Sequence, residues 1–165
     1  MSVFSASTVR SPRERVVASR YVLLRTFRRD GVGVDTPIWF RVDGDVLVFR
    51  TKRGPKTRRL ANRADVEFRL CDYRGRIVAD GPVMYGRATI LDGAAADAAD
   101  RALRRRYGWF QWKIVPLIAI PGVTSVFSVL SWRDKIRLAS TGGTWPEAAL
   151  VRVELGPTSN DSGSQ

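Results

Sequence analysis

One short segment of the chain combines many cations with no carboxylate. Residues 52–59 read Lys-Arg-Gly-Pro-Lys-Thr-Arg-Arg and carry five positive charges. A strand pattern precedes the segment and a short helical pattern begins inside it. The start of a helix offers free N–H groups and the positive end of its dipole to an anion. Arg50 and Thr51, just before the segment, could add a guanidinium and a hydroxyl, so this is a candidate phosphate site. A solvated basic loop is the alternative.

For several other candidate residues, a structural role is favoured over a functional one. A second basic cluster, Arg101 and Arg104 to Arg106, has helical spacing and nearby carboxylates, which favours a solvated helix face over the border of a groove for an acidic tail. Trp39 follows Thr36 and Pro37 and could stack on a ring, although filling the core is the commoner use. Cys71 alternates with Leu70 on a strand and is expected to be a structural thiol.

Composition excludes several classes of active site. The chain has 165 residues, no His and one Cys, so Ser-His-Asp triads, histidine-held haem and zinc, and disulfides within the chain are impossible. We therefore expect no metal site. A lone thiol suits a reducing compartment, and the first fifteen residues lack the apolar core of a secretory signal, which predicts a cytoplasmic protein.

The net charge of +12 allows nucleic acid, an acidic membrane face or a phosphorylated cofactor as a partner. Nucleic acid is disfavoured, because the basic residues do not interleave with exposed aromatics as stacking platforms do. Residues 114–132 form a run of 19 uncharged positions, a length that could span a bilayer. Pro116, Pro121 and Gly122 interrupt that run, so we expect it to pack on the protein, without stable membrane insertion.

The elements that must position these residues follow from periodicity. Alternating strand patterns cover residues 21–28, 34–42, 46–51, 66–73, 82–91 and 148–155. Helical patterns cover 11–20, 56–63 and 94–107. Mostly sequential strands with helices between them predict a mainly β fold, an antiparallel barrel with helical attachments. Residues 11–155 would form this single domain, between a loose tail at 1–10 and a disordered tail at 156–165.

The order of these motifs resembles the split β-barrel flavin and deazaflavin oxidoreductases, the pyridoxamine 5'-phosphate oxidase-like superfamily. Within it, the chain is most similar to actinobacterial enzymes that use the deazaflavin coenzyme F420. The matching segments are residues 20–31, 36–40, 48–51, 56–60, 71–75 and 106–109. Two features depart from the pattern: Pro55 replaces a small flexible residue, and residues 110–147 replace a short connection.

The resemblance implies a six-stranded antiparallel split barrel, FMN-binding split barrel-like, that forms a homodimer with a cofactor groove at each side of the interface. Arg50, Thr51, Lys56 and Arg59 would hold the cofactor phosphate. Thr36, Pro37 and Trp39 would line the ring.

The implied function is hydride transfer from reduced F420 to an electron-poor small-molecule acceptor, such as an unsaturated bond or a quinone-like ring. No catalytic residue is assigned, and Tyr85 or a water molecule is a candidate proton donor. FMN is the alternative cofactor, and a non-enzymatic deazaflavin- or lipid-binding protein is the alternative function.

Overall fold

The computed structural model describes residues 12–78, 81–108, 130–140, 145 and 147–156. The tail predicted at 1–10, all but the first residue of the tail predicted at 156–165, and most of the apolar run at 114–132 lie outside these residues. The described chain forms four helices and six strands, in the order α1 (Pro12–Ala18), β1 (Tyr21–Phe27), β2 (Gly33–Asp43), β3 (Val46–Lys52), α2 (Pro55–Asn62), β4 (Asp65–Leu70), β5 (Met84–Leu91), α3 (Gly93–Tyr107), α4 (Trp132–Ser140) and β6 (Ala148–Leu155).

The six strands close into one antiparallel barrel in the order β1-β2-β3-β6-β5-β4. The first three strands form the predicted meander, whereas β6 lies between β3 and β5 and pairs with both. Closure leaves no strand of the described barrel with an unpaired edge. The predicted mainly β fold with an antiparallel six-stranded barrel is therefore confirmed.

Alternation along the strands fills the barrel. Apolar residues spaced two apart point inward, and the fully buried ones are Val22, Leu24, Phe40, Leu47, Phe49, Phe68, Val151 and Val153. Leu60 of α2 joins the same cluster and is 3% exposed. The helix that carries the basic segment is therefore anchored to the barrel core by its apolar side.

The helix α4 is the element that periodicity did not predict. It lies within residues 110–147, which the sequence indicated only as an unusual connection, and its nine residues carry three cations and one carboxylate. So short and charged a segment gives little periodic signal. Among the described residues, no helix is both long enough and apolar enough to cross a membrane.

Helix α3 covers the outer face of the barrel and is held there by a buried ion pair. Its Ala99 and Leu103 pack on Leu150 of β6. The Arg50 guanidinium lies 3.8 Å from the Asp100 carboxylate, and these side chains are 4% and 3% exposed. The guanidinium carbon also lies 4.4 Å from the centroid of the Trp145 ring. Burial lowers the pKa of Arg50 to about 10, although Asp100 opposes that change.

Loss of this ion pair should destabilise the fold strongly. We expect Arg50→Ala to lower the free energy of unfolding by about 3–5 kcal/mol, because the Asp100 carboxylate would stay buried without its cation. Arg53→Ala is the matched control. Arg53 lies 3.5 Å from Asp92, but both side chains are more than half exposed, so its loss should cost less than about 1 kcal/mol. Urea denaturation measures both changes, and equal losses would contradict a structural role for Arg50.

Candidate functional site

The first turn of α2 is an open helix end with no acidic residue. The helix follows Gly54, which has no side chain to cap the first N–H groups, and Pro55 occupies its first position. No atom of the described residues lies within 4 Å of the position that a side chain at Gly54 would take. The N–H groups of the first turn lack acceptors within the helix. They are therefore available to a ligand that accepts hydrogen bonds.

The Thr57 hydroxyl keeps the turn before this helix in place. It donates a hydrogen bond to the Gly54 carbonyl oxygen and accepts one from the Gly54 N–H, each at 2.9 Å. Its side chain is buried. Because both ends of the turn are tied to one hydroxyl, the residues that flank Thr57 are held in a defined orientation.

Lys56 is a cation in an unfavourable place. Burial lowers its pKa to about 8, and the nearby charge of Arg59 lowers it further in the same direction. Within the described part of the chain, Lys56 forms no hydrogen bond or ion pair. It also lies at the positive end of the α2 dipole, where a carboxylate is the favourable residue. An anion bound at this helix end would relieve all three penalties.

Arg59 extends this cationic surface toward the β1–β2 ladder. Its Nε donates a hydrogen bond of 2.8 Å to the Thr26 hydroxyl. Burial lowers its pKa first, and the charge of Arg28 at the end of β1 lowers it further. The mutual repulsion of Lys56, Arg59 and Arg28 therefore marks one region of positive potential. These three residues define what we call the α2 anion site.

The structure separates the predicted phosphate ligands into two places. Lys56 and Arg59 lie together in the α2 anion site. Arg50 instead lies on the outer face of β3 beneath α3, and the shifted pKa of Lys56 receives no contribution from it. Thr51 lies on the same inward face of β3 as Phe49, but it is partly exposed because it is near the end of the strand. Contact between Arg50 and a phosphate stays a prediction, and the structure does not bring Arg50 to the α2 anion site.

The predicted ring-lining residues also divide between two faces of β2. Thr36 of β2 pairs with Leu24 of β1 and, like Leu24, points into the barrel. The next inward pair along this ladder is Val34 and Thr26. Pro37 alternates with Thr36 and is exposed on the outer face. Trp39 lies on that same outer face. Of the three, Thr36 is therefore nearest along the ladder to the α2 anion site.

Trp39 is packed among other aromatic residues on the outer face. Its ring is stacked on Tyr107 of α3 at 5.6 Å between centroids, and Tyr21 meets its edge at 6.3 Å. The Tyr107 hydroxyl in turn donates a 2.6 Å hydrogen bond to the Phe40 carbonyl oxygen and accepts one from the Phe40 N–H. These contacts tie α3 to β2 and hold the Trp39 ring in a fixed orientation.

Tyr85, the candidate proton donor, lines a different concavity. It is half exposed on β5 and borders a groove of about 540 Å³ at the C-terminal end of α2, together with Phe27, Arg63, Glu67 and Glu154. Lys56 lies near the other end of that eight-residue helix, about 9 Å away along its axis. Tyr85 stays a prediction as a proton donor.

Cys71 gives no sign of reactivity. It is buried, and burial together with Asp72 raises its pKa to about 11, so the thiolate is disfavoured. No group of three potential metal ligands occurs among the described residues.

Sequence reasoning missed Arg28 as a member of the site and Thr26 as the hydrogen-bond partner of Arg59. Both lie in the first strand pattern and the turn that follows it, far along the chain from residues 52–59. The signal that could have found Arg28 is its position directly after the first strand and two residues before Asp30-Gly31, at the start of the turn. The contact with α2 itself is tertiary and has no local signature.

Solved structures of other proteins share this fold. A conserved hypothetical protein from Mycobacterium tuberculosis is similar with a TM-score of 0.57 and 22% identity, over 93% of this chain and 85% of that chain. HutZ, the heme storage protein from Vibrio cholerae, gives a TM-score of 0.52 and 11% identity, over 89% of each chain. A candidate pyridoxamine 5'-phosphate oxidase from Listeria innocua gives a TM-score of 0.51 and 12% identity, over 85% of this chain and 86% of that chain.

At these identities the likeness concerns the fold. No protein-family model matches the chain, and no curated protein matches it. The barrel is a split barrel of the kind found in pyridoxamine 5'-phosphate oxidase-like proteins.

Proposed function

We propose that this protein is a homodimeric oxidoreductase that binds coenzyme F420 with its phosphate in the α2 anion site and reduces an electron-poor small molecule. The fold is compatible with this proposal, since a candidate oxidase has the same architecture. The observation that carries the proposal is Lys56, a desolvated cation at a helix N-terminus with no ion pair among the described residues. A phosphate is the group that such a place binds best.

Each residue of the site has a separate task in this proposal. Lys56 would meet the phosphate as a point charge, and the N–H groups of the first turn would donate to its oxygens. Arg59, oriented by Thr26, would supply a second cation from the barrel side. When bound, the deazaflavin supplies hydride chemistry. The chain's own contribution is to hold that group rigidly and to exclude water.

FMN is the second candidate, and one observation favours it. Three cations, Lys56, Arg59 and Arg28, act on one small region. Such a surplus suits the nearly doubly charged phosphomonoester of FMN better than the single charge of a phosphodiester. Titration of the protein with both cofactors at the same ionic strength distinguishes the two candidates, since one should bind markedly more tightly.

Removal of either site cation should weaken cofactor binding. A charge-assisted hydrogen bond contributes roughly 1.5–3 kcal/mol, so we expect Lys56→Ala and Arg59→Ala each to raise the Kd by about tenfold or more. Arg58→Ala is the matched control, because Arg58 lies between them on α2 but is exposed. It should change the Kd less than about threefold at fixed salt. Fluorescence titration measures all three variants.

Two results would reject this assignment. If Lys56→Ala and Arg59→Ala bind as tightly as the parent, the phosphate lies elsewhere and the segment is a solvated basic turn. If all three variants lose affinity equally, the effect is a general one of net charge. Circular dichroism of each variant checks that the barrel is intact.

Binding should also depend on pH through Lys56. Its pKa in the free protein is about 8, so the cation is lost as the pH rises through that value. We expect the affinity for the phosphate ligand to fall about tenfold between pH 7 and pH 9, because one proton is lost from the site. Lys56→Arg keeps its charge throughout this range and should give a nearly flat profile. A slope unchanged in Lys56→Arg would mean that another group titrates.

Turnover separates an enzyme from a carrier. We expect the parent protein to oxidise reduced F420 when a soluble quinone is supplied as the probe acceptor. In Lys56→Ala, this activity should fall by the same factor as cofactor binding. Tight binding without oxidation of the cofactor for any acceptor class would favour the non-enzymatic binding protein instead.

A further inference from the structure

Helix α4 presents an unusual surface for so small an element. Trp132 is 80% exposed and Ile136 is 64% exposed, the two most exposed large apolar side chains of the described residues. They are four positions apart and therefore lie one above the other on the same face of the helix. On the opposite side, Leu138 is buried against Trp145 and Ala148. The helix is thus held to the barrel by one face while an apolar pair faces outward.

Cations flank the apolar pair. Arg133 and Arg137 are exposed beside Trp132 and Ile136, and the Lys135 ammonium lies 5.8 Å from the centroid of the Trp132 ring. Asp134 is the single carboxylate of the helix and is 3.4 Å from Arg137. The surface formed by Trp132, Arg133, Ile136 and Arg137, which we call the α4 face, is therefore apolar at its centre and positive around it.

We propose that the α4 face docks on the surface of an anionic lipid bilayer. Trp side chains prefer the membrane interface, where the ring is apolar and its N–H stays wet. Arginines beside an apolar stripe meet anionic headgroups, a pattern typical of interfacial helices. The net charge of +12 adds attraction at longer range. In the sequence, α4 also begins at the end of the 19 uncharged positions of residues 114–132.

Charge complementarity favours a bilayer over a second copy of this chain. A two-fold interface brings the same patch of two subunits together. Two α4 faces in contact would place Arg133 and Arg137 against the same arginines of the partner, which is repulsive. An anionic lipid surface satisfies these cations instead. The α4 face is exposed without a bound cofactor, so it can dock whether or not the α2 anion site is occupied.

Sedimentation with vesicles tests this surface on the full chain. We expect the protein to bind vesicles of phosphatidylcholine with phosphatidylglycerol, but not vesicles of phosphatidylcholine alone. The double variant Trp132→Ala/Ile136→Ala should weaken binding to the mixed vesicles by about tenfold. The matched control is Tyr73→Ala/Ile77→Ala, which removes one aromatic and one isoleucine of about 45% and 48% exposure from another surface. It should bind like the parent.

Charge is tested separately from apolar contact. Arg133→Gln/Arg137→Gln should also weaken binding to the mixed vesicles, and raising the salt concentration should reduce the difference between that variant and the parent. Equal binding of parent and Trp132→Ala/Ile136→Ala would overturn the proposal. The proposal would also be overturned if one of these variants changed the oligomeric state of the protein in sedimentation but left its vesicle binding unchanged. In that case the α4 face would be an interface with a second copy of the chain.

Discussion

The ladder between β3 and β6 is the interaction on which the rest of the structure depends. It joins the third strand to the last one over seven residue pairs, from Val46 opposite Glu154 to Lys52 opposite Ala148. A further hydrogen bond, from the Arg53 N–H to the Glu147 carbonyl oxygen, extends it past the strand end. This ladder closes the barrel, and it also fixes the point at which the chain leaves β3 to begin α2. The geometry of the α2 anion site is thus set by contacts between residues that are about a hundred positions apart in the chain.

The first turn of α2 goes against the local preferences of a helix start. A lysine at the positive end of a helix is unfavourable, and burial makes its charge less favourable still. The lowered pKa of Lys56 also determines how the stability of the fold changes with pH. The pKa of Lys56 is lowered on folding from 10.5 to about 8, so the unfolded chain binds that proton more tightly. The free energy of unfolding therefore rises with pH between these values. Such local conflicts concentrate at functional sites.

Much of the fold could be predicted from periodicity, whereas the partners of individual side chains could not. The period of two located all six strands within a few residues, because each has one face in the core. The same pattern shows that Arg50 and Trp39 lie on the outer face, but it does not show that α3 covers that face. Asp100 is fifty positions away, and Trp145 comes from yet another segment. Helix α4 was missed because nine residues, four of them charged, hold too few apolar positions to establish a helical period.

The two kinds of arginine environment explain why a basic run alone did not identify the site. Elsewhere on the surface, cations are neutralised locally: on the barrel wall Arg25 lies 2.7 Å from Asp35, and in the connection after β4 Arg76 lies 2.8 Å from Asp72. Arg50 is neutralised as well, but by a buried carboxylate of another element. In the α2 anion site, by contrast, the nearest charges that act on Lys56 and Arg59 are positive. What distinguishes Lys56 and Arg59 from the other cations is therefore that no described carboxylate contributes to their pKa shifts, and that property follows from the fold that the β3–β6 ladder closes.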